Sequence, residues 1–381
     1  MTRRDLSKLA ALAVATPSSQ QAAEPVYKGP LAGFENTVPI AEFDSLALSM
    51  KLHDEAPMAM AFQAASKPQA EIWQTKLRAK LTDLVGGFNY RRVALSPELL
   101  ETRDFPTYTR EKIIFHSRPG AMVLIYLLTP KTPGPHAVSI CVPGHGRGAD
   151  DVVGIDPEGR DRKVRIGYQY DFAIQCVENG MAAVAIEPLG FGCRRDEKAV
   201  AHGQTTSSCM PAAGAALLLG QTMIGWRVWD IMRTVDWIGT RPRLDAKRIG
   251  VIGISGGGTC SLFSAALDMR IKASMVSCYL NTFRDSIMAM SHCIDNYIPG
   301  VLNWAEMHDI AGLIAPRHLF AESGLRDTIF PIKSANASFE KVMKIYEVFG
   351  AKDRLSREVF DGPHEFHGVA GIPFMAKALK S

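Results

Sequence analysis

The chain has 381 residues, of which 47% are hydrophobic and 22% charged, a composition typical of a globular protein with a substantial core. Its net charge of +4 is small and the charges are dispersed, so no nucleic-acid or membrane partner is predicted. No apolar run reaches the roughly 18 residues that a membrane-spanning helix needs. The length fits one large α/β domain with an extension, or two domains.

Residues 1–30 resemble a twin-arginine export signal. They contain Thr2-Arg3-Arg4-Asp5-Leu6-Ser7-Lys8, then the apolar segment Leu9–Ala15, then Ala22-Ala23 as a cleavage region. This pattern predicts a signal peptide and a periplasmic or secreted protein. The alternative is a disordered tail on a cytoplasmic protein.

Residues 31–108 are predicted to form an N-terminal helical extension. A helix start is indicated by Ser66-Lys67-Pro68, with proline in the first turn. Apolar residues then recur near helical spacing, and Gly86-Gly87 ends the run.

Residues 109–381 alternate strands and helices, which predicts an α/β fold with a mostly parallel twisted sheet covered by helices on both faces. An antiparallel hairpin opens the segment. The predicted strands are Lys112–Ser117, Ala121–Thr129, Ala137–Val142, Met181–Ile186, Ile249–Ile254, Ile271–Cys278, Arg317–Glu322 and Arg357–Phe360. The predicted helices are Tyr170–Glu178, Pro211–Ile238, Phe339–Phe349 and Phe374–Leu379.

A candidate nucleophile follows the strand Ile249–Ile254. Gly253, Ser255 and Gly257 form the G-x-S-x-G pattern of a nucleophile elbow, in which a serine sits on a strained turn between strand and helix. The glycines are needed because the strand and helix backbones approach closely there. Ligands of such sheets bind beyond the carboxyl ends of the strands, where Ser255 lies.

A serine hydroxyl needs a base and an acid that orients the base, in the chain order Ser, acid, His. Asp327 is predicted to be the acid, because it lies in the loop after strand Arg317–Glu322; Glu322 is the alternative. His364 is predicted to be the base, because it lies just past the last strand; His367 is the alternative.

The oxyanion of acyl transfer needs two hydrogen-bond donors. The amides of Gly256 and His145 are predicted to supply them, with Gly146 as the second choice for the loop after Ala137–Val142. His145 is not predicted to be a metal ligand, because no second ligand lies nearby in the sequence. No cofactor and no metal are predicted.

Two further residues are candidates for the substrate site. Glu187 follows a strand and either lines the site or, as the favoured interpretation, braces its own loop. Trp304 lies where such folds often cover the pocket, and wall and core positions are equally favoured.

The seven cysteines form no C-x-x-C pair and no cysteine–histidine cluster, so a zinc site is not predicted. Four lie in apolar patterns as buried free thiols. Cys193 and Cys209 lie in loop-like sequence, and a disulfide between them stays an open alternative.

The order of Pro143-Gly144-His145-Gly146, Gly253–Gly257, Gly324–Pro331 and Pro363–His367 resembles α/β-hydrolases of the acetyl xylan esterase and dienelactone-hydrolase-related group. Gly167–Asp171 and Glu187–Cys193 also look like bacterial members of that group. The resemblance covers residues 40–381 and implies Ser255, Asp327 and His364 as the triad, no cofactor, and often a carbohydrate ester as substrate. Dienelactone hydrolases proper use a cysteine nucleophile, which this chain lacks at position 255.

The sequence therefore predicts a serine carboxylic ester hydrolase that acts on a small-molecule or carbohydrate ester through an acyl-enzyme. One alternative is a prolyl-oligopeptidase-like peptidase, although the chain has no room for a propeller domain. The other is a binding protein that has kept the α/β-hydrolase fold without catalysis. The oligomeric state cannot be predicted from these patterns.

Overall fold

The computed structural model describes residues 28–380. Residues 28–48 belong to a small unit that contains the 3-10 helix Ile40–Phe43, and residues 49–380 form the main unit. The predicted export signal lies almost entirely outside the described residues and is not tested. Within residues 28–380, no helix combines the length and hydropathy that crossing a bilayer requires.

The main unit is built on one nine-stranded sheet with the order β1-β2-β3-β5-β4-β6-β7-β8-β9. The first three strands and β5 pair antiparallel, and the strands from β5 through β4 to β9 pair parallel. The strands are β1 (Glu98–Asp104), β2 (Tyr108–Arg118), β3 (Ala121–Pro130), β4 (His136–Val142), β5 (Ala182–Ile186), β6 (Leu244–Ile254), β7 (Ile271–Ser277), β8 (His318–Gly324) and β9 (Leu355–Phe360).

The main unit has helices on both faces of the sheet, and the chain from residue 45 onwards contains ten α-helices among the described residues. They are α1 (Ser45–Asp54), α2 (Lys67–Leu84), α3 (Phe172–Glu178), α4 (Glu197–His202), α5 (Cys209–Leu218), α6 (Met223–Ile238), α7 (Gly256–Leu267), α8 (Met307–Gly312), α9 (Ile332–Val348) and α10 (Gly371–Ala378).

The hydrophobic core lies in two layers, one on each face of the sheet. Side chains along a strand point alternately to opposite faces. Strand β4 follows this rule, because Val138 and Ile140 belong to one buried cluster and Ala137 and Cys141 to the other. The first layer includes buried residues of α2, α6, α7 and α9, and the second includes those of α3 and α10. The predicted α/β fold, a mostly parallel sheet covered by helices on both faces, is confirmed.

Three predicted elements differ from the observed ones. The single helix Pro211–Ile238 is two helices, because Gly220 has a φ of +68° and the Thr222 hydroxyl accepts a hydrogen bond from Gly225 N–H to begin α6. Helix α9 begins earlier than predicted, at Ile332. Strand β1 was not predicted, because all but two of its residues are exposed and so it has no apolar alternation.

Strand β1 also bears on the predicted domain boundary at residue 109. It pairs with β2, so the sheet begins before that boundary. Helix α2 likewise contributes Leu77 and Leu81 to the same core layer as Val138. Strand β1 and helix α2, which lie within the predicted extension, are therefore packed into the main unit.

Candidate active site

The nucleophile candidate Ser255 sits on a strained turn between β6 and α7. It has φ 57° and ψ −123°, a backbone conformation that non-glycine residues adopt rarely. A Cβ on Gly253 would overlap the main-chain oxygen of Gly257, and a Cβ on Gly257 would overlap that of Val142. Glycine is therefore required on both sides of the serine, and the strain at Ser255 is held by the surrounding sheet.

The two other triad candidates are in direct contact. His364 Nδ1 lies 2.7 Å from Asp327 Oδ2. The other carboxylate oxygen, Oδ1, accepts hydrogen bonds from Ile329 N–H at 2.8 Å and Phe330 N–H at 3.0 Å. These bonds fix a buried carboxylate so that it orients the imidazole. His364 Nε2 is buried and has no hydrogen-bond partner among the described residues, so the structure shows no hydrogen bond from it to Ser255.

The alternative acid and base candidates lie in a different hydrogen-bond network. Glu322 accepts hydrogen bonds from Ser277 Oγ (2.7 Å) and from the amides of His367 (3.0 Å) and Gly368 (2.6 Å). The His367 ring contacts Glu358 at 3.0 Å instead of Asp327. Glu322 thus braces the chain that follows His364.

The predicted oxyanion loop lies next to the elbow. A Cβ built on Gly256 would be 3.2 Å from His145 Nδ1, and one built on Gly144 would be 3.2 Å from Ser255 Cβ. The amides of His145 and Gly256 form no hydrogen bond to other atoms of residues 28–380. Both are thus available as donors.

Two residues that the motif analysis did not assign hold the oxyanion loop. Tyr168 donates its hydroxyl to the His145 carbonyl oxygen at 2.5 Å, and Gln169 Oε1 accepts a hydrogen bond from Gly144 N–H at 2.8 Å. The Tyr168 ring also lies nearly parallel to the His364 ring, with centroids 6.1 Å apart. Tyr168 therefore touches both halves of the site, and only the family resemblance of Gly167–Asp171 pointed to it.

Glu187 is buried between two loops. Cβ atoms on Gly148 (φ +81°) or Gly192 (φ +48°) would overlap its carboxyl group. Its Oε2 accepts a hydrogen bond from Ala149 N–H at 3.3 Å, and Oε1 has no partner within the described residues. Burial raises the pKa of Glu187 to about 8. These contacts favour the bracing role over contact with substrate.

Trp304 is half-buried against the core. It packs against the first core layer, and Lys80 Nζ of α2 lies 4.3 Å from its ring centroid. This favours the core alternative over a pocket wall. A cavity of about 920 Å³ lies elsewhere, between the 189–208 segment and helices α5 and α6, and neither Ser255 nor His364 lines it.

No second metal ligand lies near His145 in the sequence, but three potential ligands lie beside its ring in the folded chain. Its ring meets Cys209, Cys293 and Asp295, and the donor atoms of these four residues all lie within 4.8 Å of one another. We call these four residues the His145 cluster. They are up to 150 positions apart in the chain, so no spacing motif could reveal them.

Cys209 lies in loop-like sequence, but in the structure it is the first residue of α5. The structure places Cys209 beside Cys293, and all seven cysteines are free thiols. A hydrogen bond from the Cys293 thiol and the charge of Arg227 lower the pKa of Cys209, against the effect of burial. The open alternative of a Cys193–Cys209 disulfide is not what the structure shows.

The fold and the elbow define the class of the protein, which is an α/β-hydrolase. A model of the Abhydrolase family matches residues 46–355. The chain belongs to the Abhydrolase family.

Similar proteins agree with this assignment. The Bacillus subtilis (strain 168) protein named "Putative hydrolase YtaP" is 26% identical over 284 residues, which is 72% of this chain and 89% of that protein. A Bacteroides fragilis NCTC 9343 structure described as a "putative acetyl xylan esterase" has a TM-score of 0.70 and 21% identity, covering 83% of this chain and 82% of the other. A glucuronoyl esterase from Solibacter usitatus has a TM-score of 0.62 and 15% identity, covering 86% and 98%. These two structures share the fold.

Proposed function

We propose that the protein is a serine carboxylic ester hydrolase. The observation that carries this proposal is the contact between His364 and Asp327, which follow the same ends of the parallel strands as the strained Ser255 does. That arrangement is the one that acyl transfer requires, with a base held in one tautomer and a nucleophile presented at the end of a central strand.

In the proposed reaction, Ser255 Oγ attacks the ester carbonyl while His364 Nε2 takes its proton. Asp327 stabilises the imidazolium that results, through Nδ1. The amides of Gly256 and His145 stabilise the oxyanion. His364 then gives the proton to the departing alcohol, and a water molecule activated by the same nitrogen releases the acid from the acyl-enzyme.

The substrate class that we propose is a carbohydrate ester. Support comes from the names of similar proteins, which include acetyl xylan and glucuronoyl esterases. We also propose export through the Arg3-Arg4 signal, because polymeric carbohydrate esters lie outside the cytoplasm of the cell that uses them.

The test is labelling of the full chain with a fluorophosphonate probe, compared with Ser255→Ala. Wild-type labelling that is absent in Ser255→Ala is expected, and equal labelling of both proteins would contradict the proposal. Hydrolysis of p-nitrophenyl acetate and of acetylated xylan, without hydrolysis of peptide p-nitroanilides, separates an esterase from a peptidase. Absence of labelling together with absence of hydrolysis of all these substrates would contradict the hydrolase proposal.

A further inference from the structure

We propose that the His145 cluster is a binding site for one zinc ion. The cluster offers an imidazole nitrogen, two cysteine sulfurs and a carboxylate oxygen at one point. The site uses the ring of His145, whose main-chain amide is the proposed oxyanion donor, and the case for zinc does not depend on the proposed ester hydrolysis.

The separations between the donor atoms match a tetrahedral zinc site. Zinc lies about 2.0–2.3 Å from nitrogen, oxygen and sulfur donors, which places neighbouring donors about 3.3–3.8 Å apart. His145 Nε2 lies 3.2 Å from Cys293 Sγ, 3.6 Å from Cys209 Sγ and 3.6 Å from Asp295 Oδ2. Cys209 Sγ lies 3.3 Å from Asp295 Oδ2. All four separations are close to tetrahedral edges.

The types of donor select zinc over the harder cations. Magnesium and calcium prefer oxygen ligands, whereas two thiolates with one imidazole suit a borderline-soft ion. Cys209 and Asp295 are buried, while His145 and Cys293 are partly exposed. An ion can therefore reach the site from solvent and is then held by buried ligands.

Arg227 balances the charge of the proposed site. Its Nη1 lies 2.5 Å from Asp295 Oδ2, and its Nη2 lies 3.2 Å from Cys209 Sγ. Two thiolates and a carboxylate carry more negative charge than one zinc ion cancels, and the buried guanidinium neutralises the rest. Hydrogen bonds of this kind to ligand atoms also orient the ligands.

The ligands come from three separate parts of the chain. His145 follows β4, Cys209 begins α5, and Cys293 and Asp295 lie between β7 and α8. Because the His145 ring also lies next to Gly256, an ion bound at Nε2 would join the oxyanion loop to the start of α5 and to the segment between β7 and α8. The ion has a positioning role in this proposal and takes no part in a chemical step.

The test is zinc uptake by the full chain, stripped of metal by a chelator and kept reduced. After zinc loading and desalting, elemental analysis should find about one zinc per chain. Cobalt loading of the same protein should produce the absorption of thiolate-to-cobalt charge transfer. A reduced wild-type chain that retains neither ion would overturn the proposal.

The variants Cys209→Ser and Cys293→Ser should each weaken zinc binding at least about 10-fold in competition with a chromogenic chelator. Cys193→Ser is the matched control, because Cys193 is exposed and outside the cluster, and it should bind zinc like the wild type. Equal affinity in all four proteins would also overturn the proposal. The wild-type cobalt spectrum tests the proposal even if one of the variants does not fold.

The competing interpretation is a redox pair, in which Cys209 and Cys293 together lose two protons and two electrons to an oxidant such as hydrogen peroxide and form a disulfide. A Cys209–Cys293 disulfide in non-reduced protein, with no zinc uptake after reduction, would decide for that interpretation and against zinc. Fluorophosphonate labelling reports on Ser255 separately, so a zinc-binding chain without labelling would reject only the esterase.

Discussion

Asp327 contacts His364 through one carboxylate oxygen and hydrogen-bonds to its own loop through the other. Oδ2 lies 2.7 Å from His364 Nδ1, while Oδ1 accepts hydrogen bonds from the main-chain amides of Ile329 and Phe330. One side chain thus combines a positioning role towards the imidazole with a structural role in the loop, and the two can be separated by substitution.

Asp327→Asn is expected to lower kcat for p-nitrophenyl acetate by about 10⁴-fold. The asparagine side chain can still accept hydrogen bonds from the main-chain amides of Ile329 and Phe330. It favours the wrong imidazole tautomer, however, and cannot stabilise the imidazolium. The measurement is steady-state kinetics, with thermal unfolding to confirm that the fold is kept. Asp361→Asn is the control, because Asp361 is exposed, and it should keep wild-type kcat. A loss of less than 10-fold in Asp327→Asn would remove Asp327 from the triad.

Tyr168→Phe is expected to lower kcat by about 10-fold with little change in KM, because the oxyanion loop loses the hydroxyl bound to His145 O. The matched control is Tyr170→Phe, two residues away and partly exposed, which should behave as wild type. The measurement is kcat and KM for a short-chain ester. Equal kcat in both variants would show that the Tyr168 hydroxyl does not position the loop.

Gly148→Ala is expected to destabilise the protein by several kcal/mol, because the new Cβ meets the Glu187 carboxyl as well as straining a φ of +81°. Gly159→Ala isolates the backbone effect, since Gly159 has a φ of +80° with nothing within 4 Å of its Cβ position. It should cost only about 1–2 kcal/mol. Urea unfolding measures both, and equal costs would mean that Glu187 moves aside freely.

Glu187 is expected to make stability fall as pH rises between about 4.5 and 8. Its pKa is raised by burial from 4.5 to about 8 in the folded chain, so the folded state keeps a proton that the unfolded state has released. The stabilisation is complete below pH 4.5 and is lost as pH rises through 8, by an amount on the order of a few kcal/mol.

The measurement is the free energy of unfolding at several pH values for the wild type and Glu187→Gln. The amide mimics the protonated carboxyl, so the variant should become increasingly more stable than the wild type as pH rises across this window. Glu340→Gln, at an exposed position, is the control and should follow the wild type. Parallel pH profiles for wild type and Glu187→Gln would show that Glu187 is ionised throughout.

Replacement of Arg3 and Arg4 by Lys is expected to leave the protein in the cytoplasm of a bacterial host that has a twin-arginine pathway, whereas the wild type reaches the periplasm. The pathway reads the arginine pair as an address. Cell fractionation measures this. Lys8→Arg is the control, and cytoplasmic retention of the wild type itself would favour the alternative of a cytoplasmic tail.

The fold and the three triad candidates could be predicted because their signals are local. Ser255 lies in a glycine-flanked pattern, and Asp327 and His364 each follow a strand that the sequence predicts. The structure adds the 2.7 Å contact that joins the last two. The preference for His364 over His367 also rested on a local property, its distance from the end of β9.

The His145 cluster could not be predicted, because it exists only after the chain folds. His145 lies in a loop, Cys209 begins α5 and Asp295 lies in a short 3-10 helix, and only tertiary packing brings these three elements together. Strand β1 could not be predicted for a related reason. Its residues Glu98–Asp104 are mostly exposed, and their extended conformation depends on pairing with β2. The division between α5 and α6 had a local signal in Gly220, which the long apolar pattern outweighed.

The strained turn at Ser255 is anchored at the centre of the sheet, since β6 has β4 on one side and β7 on the other. The Ser255 amide also donates to Ser277 O at 3.1 Å. Amides in such positions exchange with solvent only when the whole domain opens, whereas edge strands and loops exchange through local fluctuations. Fraying at β1 or β9 therefore leaves the turn intact, and heating should abolish its geometry only in the global unfolding transition.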